Sequence, residues 1–191
     1  MKRSRCARDR AHRWPQVADA TRRGSHLNST DTDREVIVNV NLYLVRHGAA
    51  VSAVENPQRP LSSEGRRRVE QTARLALERK VQVSAIYHSG ILRAQETAEI
   101  LAEHVNPRSG TAQLSGLLPE DDPAAVQAEI DLAIDPILLV GHLPFMSRLA
   151  GLLVSGDPEQ AVVEFFPATM VCFDKSAAQW KISWRIVPEP G

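Results

Sequence analysis

The chain has 191 residues, room for one domain with a proper core and an appendage. Its 43% hydrophobic and 24% charged residues are ordinary globular proportions, and no apolar stretch approaches the about 18 residues that span a bilayer. The 23 basic and 23 acidic residues cancel, but nine and five of them respectively fall in residues 1–40; the remainder, 14 against 18, is mildly acidic and argues against bulk attraction to nucleic acid.

Residues 1–40 are rich in Arg, Ser, Thr and Asp, without helical or strand period before Val36-Ile37-Val38. They read as a disordered leader, or as an extension absent from the working protein if translation starts at Val40. A nucleic-acid-binding arm has only Trp14 in its favour. No apolar run follows the basic residues, so a secretory signal is not expected. Cys6 in the leader and Cys172 in an apolar strand pattern make no disulfide framework, and a reducing, cytoplasmic compartment fits.

The domain is expected over residues 41–188, where strands and helices alternate. Asn41–Arg46 is an apolar run that reads as a central strand, followed by a polar loop over 49–60 that closes in Arg59-Pro60-Leu61. Ser62 or Ser63 caps a helix with Val69, Ala73, Ala76 and Leu77 on its buried face. Residues 83–88 form a second strand. A helix from about Leu92, capped by Ser89, buries Ala94, Ala98, Leu101, Ala102 and Val105 and stops at Asn106-Pro107. A weak strand over 111–114 leads into the acidic turn Pro119-Glu120-Asp121-Asp122-Pro123, then a modest helix with Val126, Ile130 and Ala133 inward. Residues 137–140 are a further strand, and Pro144 opens a helix whose face is Phe145, Leu149, Leu152 and Leu153. Residues 170–174 and 180–187 read as a terminal hairpin. This order predicts an α/β three-layer sandwich, a mostly parallel sheet with an antiparallel edge, covered by helices.

Three fragments carry the chemistry: Leu42-Tyr43-Leu44-Val45-Arg46-His47-Gly48, Ser89-Gly90-Ile91-Leu92-Arg93-Ala94 and Val140-Gly141-His142-Leu143-Pro144. Each follows a strand, and open α/β sheets bind ligands beyond the carboxyl ends of their strands. Singly they are weak signals. A strand-end histidine can cap backbone groups, and Arg93 in a first helical turn opposes the helix dipole unless it meets an anion. Together, two imidazoles and two guanidiniums suit phosphoryl transfer. A neutral His47 attacks phosphorus in line, while Arg46, Arg93 and His142 stabilise the equatorial oxygens. Gly48 would let the backbone approach the phosphate, and the arginines should lower the pKa of His47. Two histidines beside two guanidiniums would repel a dication, and neither a phosphate-binding glycine loop nor a dinucleotide fingerprint occurs. The residues read as a phosphatase working without metal or cofactor.

These motifs, with Arg59-Pro60-Leu61-Ser62-Ser63-Glu64-Gly65, Gln95-Glu96-Thr97 and Phe166-Pro167-Ala168-Thr169, resemble the histidine phosphatase superfamily, whose fold is phosphoglycerate mutase-like. Within it the chain looks like the short, SixA-type phosphohistidine phosphatases. The resemblance covers about residues 41–188 and implies that His47 is the nucleophile and that Arg46, Arg93 and His142 form the phosphate pocket, with Arg59 a candidate to face the substrate. It also implies a shallow site suited to a phosphorylated protein, such as a histidine phosphotransfer domain. Larger members use a carboxylic acid to protonate an alkoxide leaving group. Here only Glu120, Asp121 and Asp122 are near in sequence, with Glu120 the candidate proton donor. Without one, alkyl esters should be poor substrates. The competing readings are a phosphatase of sugar or nucleotide phosphates and an inactive module that binds phosphorylated partners.

Overall fold

The computed structural model describes residues 40–176 and 179–189. The expected leader, with Cys6, Trp14 and Val36-Ile37-Val38, lies outside the described residues apart from Val40. In chain order the elements are β1 (Asn41–Arg46), α1 (Ser63–Glu78), β2 (Ala85–His88), α2 (Leu92–Val105), β3 (Thr111–Gln113), α3 (Pro123–Asp131), β4 (Ile137–Gly141), α4 (Phe145–Ser155), β5 (Met170–Ser176) and β6 (Gln179–Ile186). One sheet has the order β3-β2-β4-β1-β5-β6. The first four strands pair in parallel, while β5 and β6 run antiparallel at one side, as the sequence predicts.

The central position of β1 follows from its composition. Leu42, Tyr43, Leu44 and Val45 are all buried, as a strand covered by helices on both faces must be. Tyr43 and Val45 join the core with Val69 and Ala73 of α1 and Ala98 and Leu101 of α2. Leu42 and Leu44, one step out of phase, point to the other face, where α4 packs. Helix α1 starts where expected: Ser62 Oγ accepts from Gly65 N–H at 3.0 Å. Its buried stripe is Gly65, Val69, Thr72, Ala73 and Ala76, and Leu77, a step of about 100° past Ala76, is 53% exposed instead of inward. Asp122 caps α3 by accepting from Ala124 N–H at 3.0 Å. Val126 and Ile130 are buried there, but α3 ends at Asp131, so the expected inward Ala133 lies past its end. The cap of α2 differs too: it is Ile91, with no side-chain bond, because Ser89 stands two residues before the cap position, where its Oγ accepts from Ile91 N–H at 3.3 Å and lies 2.7 Å from His142 Nε2.

Candidate active site

Strands β1 and β4 are neighbours in register, with Arg46 opposite Gly141. The residues that follow them, His47 and His142, therefore emerge side by side, their ring centroids 4.8 Å apart and their planes at 53°. The His47 amide donates to the Gly141 carbonyl at 3.1 Å, fixing the pair at the carboxyl ends of the sheet. On the other flank of β4, β2 delivers Ser89, whose Oγ lies 2.7 Å from His142 Nε2.

The tautomer of His47 follows from its partners. Nδ1 lies 2.7 Å from the Gly48 carbonyl, which can only accept, so Nδ1 carries the proton. Nε2 keeps its lone pair, which accepts from Arg93 Nε–H at 3.2 Å. Burial above all, then the charges of His142, Arg93 and Arg46, lower the His47 pKa to about 3 against the upward pull of the Gly48 carbonyl. The sequence reading placed that shift on the arginines; desolvation exceeds them. His142 falls to about 4, again chiefly through burial and then through Arg93 and Arg46. Both rings are neutral at pH 7, and the electron pair of His47 Nε2 is held by Arg93 rather than by a proton.

Arg46 donates through Nη1 to the Phe165 carbonyl at 2.8 Å, and its Nε is buried without a partner. Arg93 sits in the first turn of α2, its pKa lowered by burial and by the neighbouring charge of Arg59. Arg59 itself is exposed and lies at the rim, donating to the Val51 carbonyl at 3.3 Å. Among the described residues, no Asp or Glu hydrogen-bonds or ion-pairs with Arg46, His47, Arg93 or His142. Half-buried guanidiniums without a carboxylate make a cavity that favours an anion.

Polar side chains far apart in sequence hold this cluster, and the sequence reading assigned them no role. Thr97 Oγ1–H donates to the Arg93 carbonyl at 2.7 Å and accepts from Gly48 N–H at 3.1 Å, tying the nucleophile's turn to α2. Glu96 accepts from Leu61 N–H at 2.6 Å and Arg66 Nη2 at 3.0 Å, anchoring the 49–61 loop. The Ala168 amide donates to the carbonyls of Arg46 and His47, and Thr72 Oγ1 donates to the Ala168 carbonyl at 2.8 Å. Gly48 also has a packing role that its sequence position does not reveal. Its amide is taken by Thr97, and an added Cβ would lie 2.7 Å from Val69 Cγ2, so the glycine admits α1.

Glu120 is exposed and makes no hydrogen bond or ion pair among the described residues. Asp121 accepts from Leu118 N–H at 2.8 Å and Asp122 caps α3, so both aspartates shape the turn. Also among the described residues, no three His, Cys, Asp or Glu gather as metal ligands. A groove of about 770 Å³ opens beside the cluster, with Arg46, Leu143, Ser147, Phe165, Phe166 and Arg185 in its walls. A second cleft of about 650 Å³, with Lys80, Val83 and Pro136, lies at the amino ends of the strands, away from these groups.

Comparison with known proteins agrees with this geometry. The family model of the histidine phosphatase superfamily (branch 1) matches residues 42–117. The phosphohistidine phosphatase SixA of Escherichia coli K12 is 28% identical over 123 residues, 62% of this chain and 76% of that protein. An uncharacterised Picosynechococcus protein is 32% identical over 126 residues, 62% of this chain and 75% of its own. Among solved structures, a protein histidine phosphatase SixA complexed with tungstate superposes with a TM-score of 0.69 at 24% identity, covering 78% of this chain and 97% of that one. A putative SixA from Agrobacterium tumefaciens gives 0.67 at 20% identity over 78% and 99%. The fold is thus that of the phosphoglycerate mutase-like α/β proteins, and the chain belongs to the histidine phosphatase superfamily, with the SixA type as its likeness. It is a phosphatase. Among the described residues, no helix is long and apolar enough to cross a membrane.

Proposed function

We propose that the protein is a cytoplasmic phosphatase that removes phosphate from phosphohistidine on a protein, through a phospho-His47 intermediate. His47 Nε2 attacks phosphorus in line while the P–N bond to the substrate imidazole breaks, and that imidazole leaves with a proton taken from solvent. Arg46, Arg93 and His142 hold the equatorial oxygens as negative charge spreads over them. Water then attacks the phosphorus of phospho-His47, releasing phosphate and restoring the lone pair. The observation that carries this reading is the lone pair of neutral His47, its Nδ1–H held on the Gly48 carbonyl beside guanidiniums that no carboxylate among the described residues neutralises.

The substrate class follows from what surrounds that lone pair. With no carboxyl group among the described residues bonded to the cluster, an alkoxide would leave poorly, whereas a protonated imidazole leaves readily. The connections after β2 and β4 are three residues each, 89–91 and 142–144, which supports a substrate as large as a protein. Arg59 at the rim is placed to meet it, and the SixA relative is itself named a phosphohistidine phosphatase. Turnover of a phosphohistidine protein is expected in the presence of EDTA, with phosphate trapped on residue 47 after rapid quenching. His47→Ala should abolish both, and near wild-type turnover by that variant would overturn the assignment. Stronger turnover of an alkyl phosphate, lost in Glu120→Gln, would point instead to a small-ester phosphatase. Phosphate binding without any turnover would point to an inactive module.

A further inference from the structure

His142 is bonded on one side only. Its Nε2 lies 2.7 Å from Ser89 Oγ, while its Nδ1 is buried with no partner in a residue 1% exposed. A buried ring nitrogen without a partner among the described residues calls for an explanation, and a bound anion supplies one. Here the ring stands 4.8 Å from that of the nucleophile, in a cavity that favours anions. A nitrogen that meets a phosphoryl oxygen must donate. Neutral imidazole has a single N–H, so Nε2 must then be the acceptor. Ser89 supplies what that arrangement requires. Its hydroxyl accepts from Ile91 N–H at 3.3 Å, which occupies a lone pair and leaves its proton for His142 Nε2.

We infer that Ser89 is a positioning residue: its O–H donates to His142 Nε2, holds that ring as the Nδ1–H tautomer, and so turns Nδ1–H into the donor for an oxygen of the transferring phosphoryl group. The role depends on the phosphatase reading above, but the tautomer itself does not. Burial of His142, which keeps it uncharged at neutral pH, is what makes the tautomer matter, since a protonated ring would donate from both nitrogens. The sheet explains why this serine is available. Strand β2 lies next to β4, with His88 opposite Val140, so the residue after β2 stands beside the turn that carries His142. Gly90, at φ 85°, turns the chain away directly afterwards.

The test is ¹⁵N NMR of the imidazoles of the full-length protein at pH 7. His142 should show a protonated Nδ1 and a bare Nε2, and inorganic phosphate should shift the Nδ1–H signal. In Ser89→Ala the ring should move toward the Nε2–H form, with kcat on a phosphohistidine protein falling on the order of 10-fold to 100-fold and KM nearly unchanged. Ser89→Thr, which keeps the hydroxyl, should recover the Nδ1–H signal and most of kcat. An Nε2–H tautomer in the wild-type protein overturns the inference without any variant, as does a Ser89→Ala protein with unaltered tautomer and kcat. A wild-type protein with the Nδ1–H tautomer that hydrolyses no phosphohistidine would instead refute the proposed function.

Discussion

Two imidazoles 4.8 Å apart beside two guanidiniums share one cavity without a carboxylate because neither ring is charged. That arrangement has a cost that depends on pH. In the unfolded chain both histidines titrate near 6.5. In the fold His47 titrates near 3 and His142 near 4, chiefly through burial. Above pH 6.5 both states are neutral and the shifts contribute nothing. As pH falls from about 6.5 toward 4 the unfolded chain takes up protons that the fold refuses, so stability drops by up to about 1.4 kcal/mol per pH unit for each ring. Urea unfolding at pH 7 and pH 5 should show this loss, and His142→Asn should reduce its slope. NMR titration should place the His47 midpoint well below pH 5; a midpoint above pH 6 would contradict the neutral nucleophile.

Helix α1 is the element whose contacts with the site leave least room. Gly65, in its first turn, passes so close to the loop after β1 that an added Cβ would overlap the Ala49 carbonyl, a backbone group that cannot swing aside. Gly65→Ala should therefore force the helix and the His47 turn apart, at about 1–3 kcal/mol or more. A fall in the denaturant midpoint of that size, with kcat falling too, is the expected result, and an unchanged midpoint would contradict it. The elements themselves were legible where apolar period is strong, in β1 and β4 and in the inward stripes of α1, α2 and α4. Local patterns failed where a distant partner competed. Ser89 has the residue type of an N-cap but stands two residues before the cap position, and its hydroxyl lies against His142, 53 residues away. Thr97 and Glu96 brace Gly48 and Leu61 across 49 and 35 residues, separations at which hydrophobic period carries no information. Arg46, His47, Arg93 and His142 were legible because each ends or closely trails a strand, and strand ends converge in a parallel sheet.

At the scale of the molecule, the cluster and its braces all lie between Arg46 and Thr169, and among the described residues the buried apolar core runs from Val40 to Ile186. Val40 is 8% exposed, and its carbonyl accepts from Lys175 N–H at 3.3 Å, so the folded unit begins at least there. We propose that the phosphatase works without residues 1–39. The preceding segment has the composition of a chain that cannot bury enough apolar surface to offset its own ordering. It also carries the net positive charge that the acidic domain lacks, so removing it would alter any salt-dependent association without touching the pocket. A chain starting with Met before Val40 should unfold at the same denaturant midpoint as the full chain, within about 0.5 kcal/mol. It should also keep kcat/KM on a phosphohistidine protein within about twofold, a difference of roughly 0.4 kcal/mol in transition-state stabilisation. A tenfold fall in kcat/KM at low ionic strength that disappears at high salt would assign the leader a role in substrate capture. A lower midpoint at every salt concentration would show that it packs on the domain, and either result would refute the proposal.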